Sequence, residues 1–415
     1  MSALSHQLRP WRAPRCVHDP GKTVLDLAVA IALGGDCLAD AALLRAQPEL
    51  FGVVASDPTI SRLIDALGGE PAAAIAAIRR ARASARAAVW QMSSPVAAAG
   101  EVIVDLDATL IGAHSEKENA TPNFKRGFGF HPMLAFVDHG GGGTGEPLAA
   151  MLRPGRANAS DAADQIAVLD AALAQLPEAV RSRVLVRGDT GSGVKEFLWH
   201  IHHLGLSYSV GVYGRQPVLD ALAALPRQAW RRALDADGRP RDGAQVAELT
   251  RWLPATFVGW PPGMRVIARR ERPHPGAQLR ITDDHGWRIT LFATNTVGGR
   301  LADLEVRHRL RARAEDRIRT LKDTGMTNLP LQAFAKNEIW LELAALAYEL
   351  LTWTQLLAWP DHPARRWEPK RLRLRLLSVA ARIVTTGRRR ILRLSRRWPW
   401  SDLLINGHRN LAALN

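Results

Sequence analysis

Between Arg307 and Lys322 the chain reads RHRLRARAEDRIRTLK. The run contains no Pro or Gly and is dominated by Arg, Ala and Leu, so it is expected to be helical. At about 100° per residue, His308, Arg311, Glu315, Ile318 and Lys322 fall within a sector of roughly 80°. An acid flanked by bases therefore sits on one stripe. Such an acid can be a solvated partner of Arg311 or Arg319, or it can be a metal ligand. The choice depends on whether other carboxylates converge on it.

Two more acids stand at the ends of predicted strands. In EVIVDLDATLIG, from Glu101, counting by two puts Val102, Val104 and Leu106 on one face and Ile103, Asp105 and Asp107 on the other. In RSRVLVRGDTGSG the run Val184 to Val186 reads as a short buried strand ending at Asp189. Open α/β sheets place ligands at the carboxyl ends of such strands. Asp189 could equally cap the following helix. Three carboxylates brought to one point repel unless cations join them, and two Mg²⁺ ions, hard and oxygen-seeking, would do so. Such a pair clamps the attacking and leaving oxygens of a phosphoryl displacement.

Composition names a partner for that chemistry. Among the 415 residues, Lys and Arg outnumber Asp and Glu 55 to 40, a net charge of +15. A field of that sign, carried mostly by Arg, favours a polyanion, with nucleic acid ahead of an anionic membrane surface. Two cysteines, Cys16 and Cys37, exclude a disulfide framework and a Cys-based zinc site, and suit a reducing cytoplasm. The apolar run from Ile339 to Trp359 is interrupted by Glu342, Glu349 and Gln355, so it reads as a buried helix and not a membrane span.

The elements that would position the acids follow in order. Residues 1 to about 20 read as a basic arm without a fold of its own. Residues up to about 95 read as short helices and one long Ala/Arg helix from Pro71, either a DNA-reading helix-turn-helix or a packing and dimerisation bundle. Asp57-Pro58 is expected to start a helix that Gly68-Gly69 closes. An α/β core is expected over 96–360. It includes a hairpin over MLAFVDHGGGGTGEPLAAMLRPG, from Met133 to Gly155, turning on glycines, a helix capped at Ser160-Asp161, and a strand in LSYSVGVY. The glycine run lacks the ending of a phosphate-binding P-loop, so it is not a nucleotide site. Residues of about 215–290 read as an insertion forming a small β-rich subdomain, with strand-like runs RVIARRE, LRITDD and WRITLFATN. His200, His202 and His203 match no metal spacing. In the basic C-terminal region, 361–415, thirteen Arg or Lys residues between Arg365 and Arg397 face one acid, Glu368. They alternate with apolar residues as phosphate-contacting elements would.

These motifs resemble those of the DDE transposases of bacterial insertion sequences, specifically the IS1380 family of the IS4-like group. The opening helix resembles the family pattern Tyr-x2-Arg-x3-Glu-x6-Lys at Arg311, Glu315 and Lys322, with His308 standing at the Tyr position. DLDAT resembles the first-Asp motif, with Asp107 as ligand and Asp105 as fallback, and RGDTG resembles the second, with Asp189. DCLAD and LRPGRANASDAADQ are also family-like.

The resemblance implies an RNase H-like catalytic core with a β-rich insertion, plus a helical N-terminal DNA-binding domain. It implies Asp107, Asp189 and Glu315 as catalytic ligands of two Mg²⁺ ions, with Mn²⁺ able to substitute. Arg311, Lys322 and His308 would contact DNA phosphates, and Lys117, Lys125 and Arg126 could join them. The implied enzyme binds terminal inverted repeats, cleaves the element ends and joins their 3′-hydroxyls to target DNA. It would act as a homodimer on double-stranded DNA, in the bacterial cytoplasm at the nucleoid and away from membranes. Trp230, Trp252, Trp260 or Trp287 would stack on a flipped base. The competing readings are a catalytically silent or domesticated DNA-binding protein, and a nuclease without strand transfer.

Overall fold

A computed structural model describes residues 1–96, 100–214, 216–253, 256–273, 286–387 and 389–414. The alternating segments form strands β1 (Val102–Ala108), β2 (Met133–Asp138), β3 (Gly145–Met151), β4 (Val184–Gly188) and β5 (Ser207–Gly211). Four more follow: β6 (Arg231–Leu234), β7 (Pro240–Glu248), β8 (Arg265–Glu271) and β9 (Arg288–Thr294). All join one sheet in the order β3-β2-β1-β4-β5-β9-β8-β7-β6. β4 runs parallel to both β1 and β5, whereas β2 is antiparallel to β1 and to β3.

The region after β5 does not form a separate subdomain. Phe292, Ala293 and Thr294 of β9 pair antiparallel with Gly211, Val210 and Ser209 of β5, so these strands extend the central sheet. An edge strand leaves a row of backbone groups unpaired, and β9 occupies that edge. The LRITDD run lies outside the described residues.

Helices cover both faces. On one, α4 (Ala162–Gln175) and α5 (Lys195–His203) bury Val168, Leu169, Phe197 and Leu198 against Val104, Val186 and Tyr208. Asp161 starts α4 as expected, its carboxylate accepting from the Asp164 amide at 3.0 Å. On the other, α8 (Phe334–Ala358) packs Trp340 and Leu343 beneath Leu134 and Phe136. It is buried along almost its whole length, as an apolar helix without a polar face must be. Among the described residues no helix is long and apolar enough to cross a membrane.

The N-terminal helices share this second core. α1 (Pro20–Ala32), α2 (Asp57–Gly69) and α3 (Pro71–Ser93) contribute Leu27, Ile31, Ile64 and Ile78 to the same cluster as α8. The first residues are not a free arm either. Ser2–Gln7 is helical and Leu4 and Leu8 are buried, because Gly21 lets that helix approach α1 where a Cβ would meet the Ser5 nitrogen at 2.2 Å. α2 is capped one residue earlier than expected, at Ser56.

Arginines bolt α3 to this core. Arg82 donates to Glu349 at 2.8 and 2.9 Å and also bonds Glu342, while Arg86 pairs with Glu146 of β3 at 2.8 Å and with Glu349. Arg79 meets Glu342 at 2.8 Å. The indole nitrogens of Trp90 and Trp353 reach Glu146 at 2.7 and 3.0 Å. Burial alone would raise the Glu146 carboxyl, but His139, Arg86 and Trp90 hold it down at about 2.

Candidate active site

Strand register brings the first two acids together. Leu106 of β1 pairs with Gly188 of β4 in a parallel ladder, and Asp107 and Asp189 are each the next residue along. Adjacent strands lie about 4.8 Å apart. Both acids line one cavity of about 120 Å³ with His131, Met133, Gln165 and Ser192. One Asp107 oxygen accepts from the Ala108 amide at 2.8 Å, and one Asp189 oxygen accepts from the Gly191 amide at 2.9 Å. Asp189 does cap a helical turn, but the short one at Thr190–Ser192 and not α5.

Glu315 arrives from the other side of the chain. The expected helix is present in three pieces: α6 (Leu301–Arg309), a tight 3-10 turn over Leu310–Ala312, and α7 (Arg313–Leu321). Glu315 lies in the first turn of α7, exposed, and among the described residues it has no hydrogen bond or ion pair. Arg319, its expected neutraliser, binds Asp316 at 2.8 Å and Glu368 at 3.0 Å instead.

Asp189 and Glu315 both act on Asp107. The Asp107 carboxyl is pushed up to about 7, first by burial, then by the charge of Asp189, with Glu315 adding to it. The Ala108 amide and Arg311 pull the other way without restoring the usual value. Among the described residues none of the three forms an ion pair.

Asp105, two residues back on the same face, has a different fate. Arg187 grips both its oxygens at 2.7 Å, bonds Asp138 at 2.9 Å and reaches the Arg307 carbonyl at 3.1 Å. Arg313 adds a bond to Asp138 at 3.2 Å. This buried network joins β1, β2 and β4 to the start of the acid-bearing helix. Both oxygens of Asp105 are thereby taken by Arg187.

The basic members of the stripe part company. A 3-10 turn advances about 120° per residue instead of 100°, so three such residues rotate the stripe by roughly 60°. His308 accordingly faces inward. It is 5% exposed, stacks on Phe292 with ring centroids 4.5 Å apart, and lies 3.1 Å from the Ser209 hydroxyl. Burial, with Arg311 adding, lowers its pKa to about 3, so it is a neutral packing residue and cannot offer a cation to phosphate from this position. Arg311 is half-buried beside Asp107, and among the described residues it has no ion pair.

Lys322 donates to the Leu110 carbonyl at 3.1 Å, just past β1. Its pKa is lowered by burial and by the nearby charge of Lys125. Lys125 and Arg126 are exposed on the loop that follows. Lys117 is tied to the Leu329 carbonyl.

The donor set tests well for hard cations: three carboxylates, oxygen only, coupled through Asp107 and without protein counter-ions. Their oxygens do not all lie within 4.8 Å of one another. The trio of groups that does, among the described residues, is Asp36, Cys37 and Asp40. There the Asp40 carboxylate caps the Asp36 and Cys37 amides at 2.7 and 3.0 Å, which accounts for the cluster without a metal.

The four tryptophans divide as well. Trp230 is buried beneath Arg270, 4.0 Å from its ring centre, and Trp287 lies near Arg270 and Arg272. Trp260 packs edge-on against Phe257. Trp252 lines a cavity of about 450 Å³ with Arg251 and Glu248. His131 is a cavity residue that sequence reading did not single out, and Gln165 ends the family-like run LRPGRANASDAADQ without having been given a role there.

A mixed α/β sheet with acids at adjacent strand ends and a third on a helix defines the class, and a family model places the chain within it. The model described as transposase DDE domain group 1 matches residues 1–415, and the chain belongs to that family. Among solved structures, the piggyBac transposase in a synaptic complex with hairpin DNA is similar, with 8% identity and a TM-score of 0.42. That match covers 90% of this chain and 75% of that one. No curated protein matches the chain.

Proposed function

We propose that this transposase cuts DNA at the ends of its element and joins the freed 3′-hydroxyls to target DNA, with Asp107, Asp189 and Glu315 as its catalytic acids. The observation that carries the reading is the coupling of three carboxylates that no protein cation neutralises, with Asp107 pushed up to about 7 between the other two. A trio too spread for one ion suits two Mg²⁺ or Mn²⁺ ions, which Asp107, Asp189 and Glu315 would hold. When bound, such ions supply charge stabilisation at the attacking and leaving oxygens of an in-line displacement.

The protein's own residues do the rest. Arg311 and Lys322, at the two ends of the acid-bearing helix, hold the phosphates on either side of the scissile bond. The Asp105–Arg187–Asp138 network fixes the carboxylates so that they need not reorganise when DNA arrives. The arrangement of β3, β2, β1, β4 and β5, with only β2 running against the others, supports an RNase H-like core. The resemblance to the IS1380 pattern at Arg311, Glu315 and Lys322, with His308 departing at the Tyr position, supports an element with terminal inverted repeats. Cutting two ends in one complex calls for a dimer on DNA.

Purified protein with Mg²⁺ or Mn²⁺ should cleave duplexes carrying the element's own inverted repeats. Glu315→Gln should abolish cutting and leave binding intact. Undiminished cutting by that variant would remove Glu315 from the site.

A further inference from the structure

The C-terminal hairpin stands apart from the central sheet. β10 (Ala381–Thr386) and β11 (Arg389–Leu394) pair only with each other among the described strands. Arg382 lies opposite Arg393, Val384 opposite Ile391, and Thr386 opposite Arg389. Side chains alternate along a strand, so these six share one face. That face presents three guanidiniums around a small apolar centre, with Ile391 41% exposed. Between Pro369 and Ser401 the sequence contains no acid.

A lone two-stranded ribbon is marginal in water, so this one needs an anchor. Arg375 supplies it at the base, lying over both Trp367 and Trp400 at 4.9 and 4.5 Å from the centres of two rings that pack edge-on. Trp398 donates to the Arg375 carbonyl at 2.7 Å. The same region is tied to the end of the acid-bearing helix by Arg319–Glu368 at 3.0 Å and Lys370–Asp323 at 2.9 Å. On the opposite face Arg390 reaches the Glu49 carbonyl at 3.3 Å. The ribbon is held at its root and open on its arginine face.

We infer that β10–β11 is a DNA-reading ribbon that enters the major groove of a duplex with Arg382, Arg389 and Arg393 facing the bases and groove walls. The inference rests on the proposed DNA transposase function and names a reading element for it. The major groove, about 12 Å wide, admits a two-stranded ribbon in undistorted DNA, whereas the minor groove, about 6 Å wide, would first have to be opened. Six residues at about 3.3 Å each span roughly 20 Å, some six base pairs. Arginine forks suit guanine edges and phosphates, and Val384 and Ile391 suit thymine methyl groups.

The test is titration of the full chain against a 30-base-pair mixed-sequence duplex, an experimental choice of length. The triple variant Arg382→Gln, Arg389→Gln, Arg393→Gln should lose at least about tenfold in affinity and bind with a shallower salt dependence. Circular dichroism should show the body still folded. On the wild type, the major-groove ligand methyl green should displace the protein and the minor-groove ligand distamycin should not. Equal affinity of variant and wild type, or displacement by distamycin alone, would overturn the ribbon and leave the transposase reading standing. A wild type that binds no duplex overturns both.

Discussion

Glu146, Glu342 and Glu349 in the core and Asp107, Asp189 and Glu315 around the carboxyl ends of β1 and β4 are both carboxylate trios, yet only the first is matched by arginines. Arg79, Arg82 and Arg86 reach into the core from one face of α3, four or three residues apart, and answer each acid with short bonds. At the strand ends the nearest guanidinium, Arg311, leaves Asp107 raised to about 7. Desolvated charge is costly unless paired. The core trio has its partners within the chain, whereas at the strand ends Arg311 and the Ala108 amide offset the burial of Asp107 only in part.

The largest effect should come from neutralising the strand-end trio. Asp107→Asn should lower cleavage on the order of 10³-fold or more, about 4 kcal/mol of barrier. Asp105→Asn should instead lower stability, since it strips a partner from buried Arg187, and should retain more activity. Measuring both cleavage rate and denaturant midpoint separates them, and a reversed order would exchange the two roles.

Next comes the core. Arg86→Met should cost about 3–5 kcal/mol of stability because Glu146 and Glu349 lose a buried partner. A denaturant midpoint equal to the wild type would mean that the clasp is not needed.

The smallest effect should be the pH dependence. Folded Asp107 holds its proton to about pH 7, whereas the unfolded side chain releases it near 3.9. Through that window the native state binds more protons, so wild-type stability should fall as pH rises. His308 works the opposite way: its folded pKa of about 3 lies below the unfolded 6.5, so its contribution is lost as pH falls. That contribution is common to wild type and Asp107→Asn and cancels in their difference. Stability of Asp107→Asn relative to wild type should therefore grow between pH 5 and 7.5, and millimolar Mg²⁺ should close the gap by stabilising the wild type alone. A gap that ignores both pH and Mg²⁺ would detach Asp107 from its neighbours.

Much of this was legible in the chain because it is local. Period-two alternation located β1 and its two faces, and a buried strand before RGDTG located β4, so the meeting of Asp107 and Asp189 needed only their parallel pairing. The Glu315 helix was legible in composition, but not its phase. Nothing in RHRLRARAEDRIRTLK announces the tight turn at Leu310–Ala312 that sends His308 inward, since every residue there keeps helical backbone angles. Asp105 and Asp107 look alike in sequence. Only Arg187, eighty residues away and on another strand, separates them. The core role of the arginines on α3 was not legible for the same reason, because their partners lie on α8 and β3.

The pairing of β9 with β5 also bears on how such a chain can be built and altered. The two strands meet across roughly eighty intervening residues, so closing that loop carries an entropic cost, and the contact is among the longest-range in the sheet. A chain shortened by excising the intervening segment with β9 would present Ser207–Gly211 as a bare edge, ready to pair with another molecule. Exchange of that segment between relatives would therefore succeed when the replacement brings a strand for β5, whatever else it carries. The insertion is thus also the selvedge of the sheet, keeping β5 from becoming a template for aggregation.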